Sequence, residues 1–161
     1  MAAAKPIIVI IPGAWHSPEH YSGVTALLQQ AGYSVLLHAL PSVDPQVAAS
    51  HSICTDTTFI RENILLPLLE EGKDMLLVMH SYGGCPGSAA AKGLSKKERT
   101  ATGRSGGVIG LVFLAGFLFK EGDSLFSRLG GKLAAWHVVD VGCEVAKCCA
   151  LSQQVVMAFP V

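Results

Sequence analysis

The sequence predicts an α/β protein with a mostly parallel sheet and helices on both of its faces. Four apolar runs, at 7–11, 33–39, 75–79 and 107–115, alternate with helical or polar stretches, which is typical of a parallel sheet. Right-handed crossovers between such strands place helices on both faces. With 161 residues, 50% hydrophobic and 15% charged, the chain suits one domain with an extensively buried core.

The first strand, at 7–11, stops at Pro12-Gly13, and a helix should follow before the second strand at 33–39. Ser17 is the expected N-cap and Pro18 lies in the first turn, while Gly32 is expected just after the helix end. The predicted apolar face of this helix consists of Val24, Leu27 and Leu28.

Two further helices and one loop are expected between the second and fourth strands. The second helix should run from Asp56 or Thr57 to Glu71, with a bend at Pro67. The third should pass through 88–91, and the polar stretch 95–106 predicts a solvated loop. The residues that the second helix should bury are Phe59, Ile60, Ile64, Leu65 and Leu68.

The segment Met79-His80-Ser81-Tyr82-Gly83-Gly84 follows the apolar run of the third strand and has the pattern of a nucleophile elbow. Such a turn presents a serine hydroxyl at the end of a strand and needs a glycine two residues later, so that the next helix packs closely. Ser81 and Gly83 meet these demands. Met79 stands where G-x-S-x-G has its first glycine, so the pattern is only half kept. Ser81 is the candidate catalytic nucleophile.

A second segment, Pro12-Gly13-Ala14-Trp15-His16, supplies a loop after the first strand. Acyl transfer needs two backbone N–H groups for the oxyanion of the tetrahedral intermediate. In the elbow architecture one comes from the residue after the nucleophile and the other from this loop. The candidate oxyanion hole is therefore formed by Ala14 and Tyr82, with Trp15 and His16 as candidate residues of the substrate pocket.

These segments, together with Gly107-Val108-Ile109-Gly110-Leu111-Val112-Phe113-Leu114-Ala115-Gly116, resemble the α/β-hydrolase superfamily, in particular its esterase and hydroxynitrile-lyase-like branch. The resemblance covers about residues 5 to 139. More narrowly, the chain is similar to fungal abhydrolase-domain proteins, some of which belong to secondary-metabolite and toxin pathways. The resemblance implies a serine esterase or thioesterase whose partner is a small-molecule acyl substrate, with no cofactor.

The same resemblance predicts a partial α/β-hydrolase fold that lacks its last strands. Family members of this branch place the triad acid and histidine after the nucleophile, in a longer chain. His137 falls where a lid begins in the family, so neither the acid nor the base of the triad can be named. We expect an incomplete hydrolase domain at 1–140 and a divergent tail at 141–161. The alternative is an inactive, truncated remnant or binding module with a hydrophobic sheet edge open to self-association.

Three further histidines, His80, His16 and His20, are expected to serve neither as the catalytic base nor as zinc ligands. His80 adjoins the nucleophile, but neighbouring residues on an elbow point apart, so we expect it to pack under the turn. His16 and His20 match the zinc-hydrolase spacing H-x-x-E-H, which requires one continuous helix. Pro18 argues against that helix, and no metal site is predicted.

Composition narrows the partners and the compartment. The charges of twelve basic and twelve acidic residues cancel, so the chain has no net positive charge that would attract nucleic acid or an anionic membrane surface. No apolar run approaches the ~20 residues of a membrane span, and a cytoplasmic location is expected, with a peroxisomal address conceivable in full-length relatives. The five cysteines lack C-x-x-C spacing and are predicted to be free thiols.

Overall fold

Strands β1 (Ile7–Ile11), β2 (Val35–Leu37), β3 (Asp74–His80) and β4 (Gly107–Leu114) form one sheet. The computed structural model describes residues 4–43 and 51–120. Within them the strand order is β2-β1-β3-β4, and each neighbouring pair is parallel. The predicted α/β class and parallel sheet are confirmed, although β2 is shorter than the apolar run that predicted it.

Helices cover both faces of this sheet, as predicted. The face that carries Val9 and Ile11 packs against the helical stretch 53–70 and the helix after the elbow. The face that carries Ile8 and Ile10 packs against Tyr21 and the first α-helix. The α-helices are α1 (Ser22–Gln30), α2 (Ile53–Phe59), α3 (Leu66–Glu70), α4 (Gly84–Ala90) and α5 (Lys96–Ala101).

Strand β3 is the centre of the larger core. Its side chains alternate in burial along the strand, and Met75, Leu77 and Met79 are each 0% exposed on the face toward α2, α3 and α4. Full burial of one such side chain contributes about 1.5–3 kcal/mol. The carboxyl end of β3, where the nucleophile elbow begins, is therefore fixed by packing.

The buried face of α1 differs from the predicted one. Val24 is 43% exposed and Leu27 is 65% exposed, so two of the three predicted apolar residues face solvent. Of the three, Leu28 alone packs against the core, in the cluster that also contains Tyr21. Tyr21 belongs to a 3-10 turn, Pro18–Tyr21, that precedes α1 and changes the helix phase. Ser17 caps this 3-10 turn, while Tyr21 takes the N-cap position of α1 itself. Gly32 follows the end of α1 at φ 80°, as predicted.

The predicted second helix is present but irregular. A π-helical segment, Ile60–Leu65, joins α2 to α3, and Pro67 lies in the first turn of α3. A proline has no N–H to continue the i→i−4 ladder, which accounts for a break in the regular helix at this place. Of the residues predicted to be buried, Ile60, Ile64 and Leu65 are buried, while Phe59 and Leu68 are partly buried.

The solvated loop predicted at 95–106 is wrong in its first half, which forms α5. Ser95 caps this helix, since its hydroxyl oxygen accepts the Glu98 N–H and the Glu98 carboxylate accepts back. Arg99 is buried and donates to the carbonyls of Leu69, Ser105 and Gly106. The bond to Leu69 holds the polar connection against α3.

The cysteine prediction is only partly right. Cys85 is a free, buried thiol, and burial raises its pKa to about 12. Cys54 is disulfide-bonded, which corrects the expectation of free thiols throughout.

Several predictions fall outside the described residues. The domain end at 140, the divergent tail at 141–161 and His137 all lie beyond residue 120, where the description ends. In the two described ranges, no helix has both the length and the apolar character needed to cross a membrane.

Candidate active site

Ser81 lies on a sharp turn between β3 and α4. Its φ is 49°, in the left-handed region that a residue with a Cβ adopts at a cost of about 1–3 kcal/mol. The strand ends at His80, the 3-10 turn Ser81–Gly83 follows at once, and α4 begins at Gly84. This strand, strained serine and helix have the geometry that a nucleophile elbow requires.

Backbone strain is concentrated at the carboxyl edge of the sheet. In the described ranges, the non-glycine residues with positive φ are Trp15 (60°), Ser81 (49°) and Ala115 (46°). They follow β1, β3 and β4, which are parallel neighbours whose carboxyl ends meet at one edge. Ligands of open α/β sheets bind at that edge, and strained residues cluster at functional sites.

Glycines allow the elbow to approach the chain around it. A Cβ on Gly83 would lie 2.4 Å from the Pro12 carbonyl oxygen, so only glycine fits. A Cβ on Gly13 would lie 3.2 Å from Cβ of Ser81, which places the loop after β1 directly beside the candidate nucleophile. On the opposite side, the Phe117 N–H donates to the Ser81 carbonyl at 3.0 Å.

The departure from G-x-S-x-G at Met79 is compensated by a glycine on the next helix. Met79 is 0% exposed, and a Cβ on Gly87 would lie 2.7 Å from its sulfur. The space that a small residue would leave under the elbow is therefore filled by the methionine side chain. Helix α4 still packs closely because Gly87 has no side chain.

The predicted oxyanion donors lie on the two segments that flank Ser81. Ala14 is in the loop after β1, and Tyr82 follows Ser81 in the 3-10 turn Ser81–Gly83. The neighbouring Gly13 N–H donates to the phenol oxygen of Tyr21 at 2.9 Å and is occupied. Because a developing oxyanion needs two backbone donors, Ala14 and Tyr82 remain the candidate oxyanion hole.

Tyr21 was missed by the sequence reasoning and joins the loop to the elbow. Its oxygen accepts the Gly13 N–H, and its hydroxyl lies 2.8 Å from Nδ1 of His80. The hydroxyl and Nδ1 share a hydrogen bond whose direction follows from the tautomer of His80. Burial, followed by the charge of nearby His16, lowers the pKa of His80, which favours its neutral ring.

His80 therefore packs against Tyr21 under the turn, which agrees with its sequence interpretation. In the described part of the chain, no histidine is hydrogen-bonded to the Ser81 hydroxyl, so the structure adds no base to the candidate nucleophile.

The two predicted pocket residues occupy different environments. His16 is half-buried, and its Nδ1 donates to the Ala14 carbonyl at 2.7 Å. Its ring also lies 5.0 Å from the ring of His80 and 5.2 Å from that of His20. Trp15 is 72% exposed and adjoins the same loop. Both remain candidate pocket residues.

The described residues contain no His, Cys, Asp and Glu group able to hold a metal ion. His20 lies in the 3-10 turn Pro18–Tyr21, whereas His16 precedes that turn. The two histidines therefore do not share the continuous helix that H-x-x-E-H zinc sites require.

A buried carboxylate, Asp56, also touches the elbow and was missed as a site residue. It is 0% exposed and accepts the Tyr82 hydroxyl at 2.7 Å. Ser42 donates to it twice, from its N–H at 3.0 Å and from its hydroxyl at 2.6 Å. The Asp56 side chain thus links α2, the 3-10 turn Pro41–Val43 and the residue after Ser81.

The fold and the elbow together agree with comparisons to known proteins. The model of the "Alpha/beta hydrolase family" matches residues 8–143. The chain belongs to the alpha/beta hydrolase family.

Similar curated proteins include hydrolases of fungal and bacterial origin. The chain is 36% identical over 128 residues to the alpha/beta hydrolase nvfD of Aspergillus novofumigatus, covering 78% of this chain and 48% of that protein. It is 33% identical over 121 residues to a carbendazim hydrolyzing esterase of Nocardioides, covering 75% and 46%. It is 25% identical over 128 residues to the probable hydrolase R7 of Phoma, covering 80% and 49%. The chain thus spans about half the length of these relatives.

Solved structures show the same fold. Tomato methylketone synthase I superposes with a TM-score of 0.58 at 20% identity, over 80% of this chain and 47% of that one. Polyneuridine aldehyde esterase superposes with a TM-score of 0.57 at 17% identity, over 79% and 46%. These likenesses concern the fold alone.

Proposed function

We propose that this chain carries the nucleophile and oxyanion half of a serine hydrolase site, with Ser81 as nucleophile and the N–H groups of Ala14 and Tyr82 as oxyanion hole. The observation that supports this most is the left-handed Ser81, φ 49°, at the end of β3 and beside Gly13. A strained serine on a strand-to-helix turn presents its hydroxyl at the ligand-binding edge of the sheet.

The proposed chemistry is acyl transfer from an ester or thioester. The Ser81 oxygen forms a bond to the acyl carbon, and the carbonyl electron pair moves onto oxygen, where the Ala14 and Tyr82 N–H groups stabilise the negative charge. The tetrahedral intermediate then expels the alcohol or thiol, which leaves with the bonding electrons and a proton. Water later attacks the acyl-enzyme by the same route and releases the acid.

The described residues place no general base beside Ser81. A serine hydroxyl needs a positioned base to take its proton, and loss of a triad member leaves about 10³–10⁴-fold catalysis from the oxyanion hole and binding. The relatives are about twice as long, with 46–49% of each covered by this chain. Because no histidine of residues 4–43 and 51–120 is hydrogen-bonded to Ser81, we propose a weak esterase activity for the chain.

The proposed substrate is a small apolar acyl compound. Trp15 lies exposed in the proposed oxyanion loop, next to Ala14, where it would border an acyl or aromatic group. The assignment to an ester is supported by the esterase among the curated relatives. A role in fungal secondary-metabolite or toxin biosynthesis rests on the resemblance to fungal proteins, and two relatives come from Aspergillus and Phoma.

Hydrolysis of p-nitrophenyl esters of increasing acyl length tests this proposal. We expect slow release of nitrophenol by the wild-type chain, with a preference for short acyl groups, and loss of that activity in Ser81→Ala. Ser88→Ala is the matched control, because the Ser88 hydroxyl only donates to the Gly84 and Cys85 carbonyls within α4. Equal rates in wild type and Ser81→Ala would contradict a nucleophilic role for Ser81.

A second candidate function, a non-catalytic binding module, is favoured by the exposure of β4. Among the described residues, β4 is one edge of the sheet, and Ile109 and Leu114 are 43% and 46% exposed. The pairing of β3 with β4 skips Ile109, so this residue lies at a bulge. Ser95 forms an isolated parallel bridge with Val108 at the start of this edge. The apolar side chains further along β4 form a surface that a second copy of the chain can pair with.

A further inference from the structure

A single buried carboxylate holds the residue whose N–H we assign to the oxyanion hole. The hydroxyl of Tyr82 donates to Oδ2 of Asp56 at 2.7 Å, and the Ser42 hydroxyl donates to the same oxygen at 2.6 Å. The Ser42 N–H donates to Oδ1 at 3.0 Å. Asp56 is 0% exposed, so these donors take the place of water around its charge.

The buried charge of Asp56 makes its hydrogen bonds costly to break, so the donors are held in place. Among residues 4–43 and 51–120, Asp56 forms no ion pair, and the groups that compensate its charge there are the hydrogen-bond donors of Ser42 and Tyr82. Hydrogen bonds to a buried carboxylate are short and strong, and removing one leaves a costly unpaired charge. Burial, followed by the charge of Asp56, raises the pKa of Tyr82, so its phenol remains a donor.

Within the 3-10 turn Ser81–Gly83 and the start of α4, Tyr82 has the side chain that can hold the turn in this way, while His80, which precedes the turn, is held separately by Tyr21. Gly83 and Gly84 have none, and Ser81 must keep its hydroxyl free for attack. The Ser81 backbone is in the left-handed region at φ 49°, a conformation that persists only when its surroundings enforce it. The Tyr82 side chain, packed against the larger core, is therefore the anchor of the turn.

We propose that Asp56, supported by Ser42, is a positioning residue that acts through the Tyr82 phenol to fix the Tyr82 N–H beside Ser81. This inference rests on the proposed function, because it assigns a purpose to the orientation of an oxyanion donor. Asp56 itself touches neither the nucleophile nor a substrate. Loss of the anchor is expected to slow attack by Ser81 without unfolding the sheet.

The first test is the rate at which a fluorophosphonate labels Ser81 in the full chain. The Ser81 oxygen bonds to phosphorus, fluoride leaves with the bonding electrons, the hydroxyl proton passes to solvent, and the oxyanion hole binds the phosphoryl oxygen. We expect Tyr82→Phe to lower the limiting rate kinact about tenfold, with little change in the half-saturating probe concentration. Tyr33→Phe is the control, since Tyr33 is a half-buried tyrosine outside the site.

A double-mutant cycle separates action through Tyr82 from a general structural effect. Asp56→Ala should lower kinact in the wild-type background and have little further effect in the Tyr82→Phe background. An equal, multiplicative loss in both backgrounds, or an unchanged kinact in Tyr82→Phe, overturns the proposal.

A second readout does not depend on Ser81 reactivity. Backbone ¹⁵N relaxation should show faster and larger motion of the residue-82 amide in Tyr82→Phe than in wild type or Tyr33→Phe, with the amides of β1 unchanged. Unchanged relaxation at residues 81–83 overturns the inference whatever the labelling shows. If wild type is never labelled, the proposed function fails, and the relaxation result still decides whether Asp56 positions the turn.

Discussion

The phenol oxygen of Tyr21 lies 2.8 Å from Nδ1 of His80, and this contact joins two segments that are 59 residues apart in sequence. The same oxygen accepts the Gly13 N–H at 2.9 Å, so Tyr21 connects the end of β3 to the loop after β1. Tyr21 thereby holds His80, the residue before Ser81, next to Gly13 in the proposed oxyanion loop.

Replacing Tyr21 with phenylalanine should destabilise the fold by about 1–3 kcal/mol, because it leaves the buried Gly13 N–H without an acceptor. The free energy of unfolding, from urea titration, measures this loss. Tyr33→Phe is the control and should change stability by less than about 0.5 kcal/mol. Equal effects of the two substitutions would show that the Tyr21 hydroxyl does not hold the loop.

Stability should fall as the pH drops below neutrality, partly because of His80. Its folded-state pKa is lowered from 6.5, first by burial and then by the charge of His16. Below that ordinary value the unfolded chain binds a proton that the folded protein resists, so unfolding becomes easier until the pH reaches the folded pKa.

His80→Gln should show a smaller decrease in the free energy of unfolding than wild type between about pH 7.5 and 5.5. Above that window the imidazole is neutral in both states, and the two proteins should differ by a constant. Parallel curves across the whole range would contradict the assignment of a lowered pKa to His80.

Gly83→Ala should destabilise the protein by about 1–3 kcal/mol through overpacking, because the added methyl group meets backbone that cannot move away easily. Its Cβ would lie 2.4 Å from the Pro12 carbonyl oxygen and 2.7 Å from that of Ile11. Gly23→Ala is the matched control in α1, where an added Cβ has no neighbour within 4 Å.

The control should leave stability unchanged or raise it by up to about 1 kcal/mol, since alanine favours helix. Thermal unfolding followed by circular dichroism measures both variants. A mild effect of Gly83→Ala, like that of Gly23→Ala, would mean that β1 and the elbow are less closely packed than described.

If the edge of β4 mediates self-association, Ile109→Lys should lower the apparent mass of the protein in solution. A charge on an edge strand opposes pairing with a second copy. Leu27→Lys is the control, because Leu27 is 65% exposed on α1, away from β4. Analytical ultracentrifugation should give an oligomer for wild type and Leu27→Lys and a smaller species for Ile109→Lys. A monomeric wild type would contradict the binding-module alternative.

The sequence predicted the strands and the elbow because both depend on local patterns. An apolar run ending in glycine or serine indicates a strand and its turn, and the positive φ of Ser81 agrees with that prediction. Helix α5 was missed because its polar composition outweighed the capping pattern of Ser95 and Glu98. That pattern could have identified it.

Tyr21 and Asp56 could not be found in the same way. Tyr21 meets His80 across 59 residues, and Asp56 meets Tyr82 across 26 residues. Their roles arise from packing between separate elements, whereas a tyrosine at a helix start or an acid in a first helical turn has an ordinary local explanation. Only the three-dimensional arrangement distinguishes them.

The most direct test of the central claim is the intact mass of the purified, folded chain after exposure to a fluorophosphonate. After prolonged exposure we predict one adduct per chain, absent from Ser81→Ala and retained in Ser88→Ala, which would identify Ser81 as the reacting serine. Absence of any adduct on folded wild-type protein, or an adduct that persists in Ser81→Ala, would contradict the assignment.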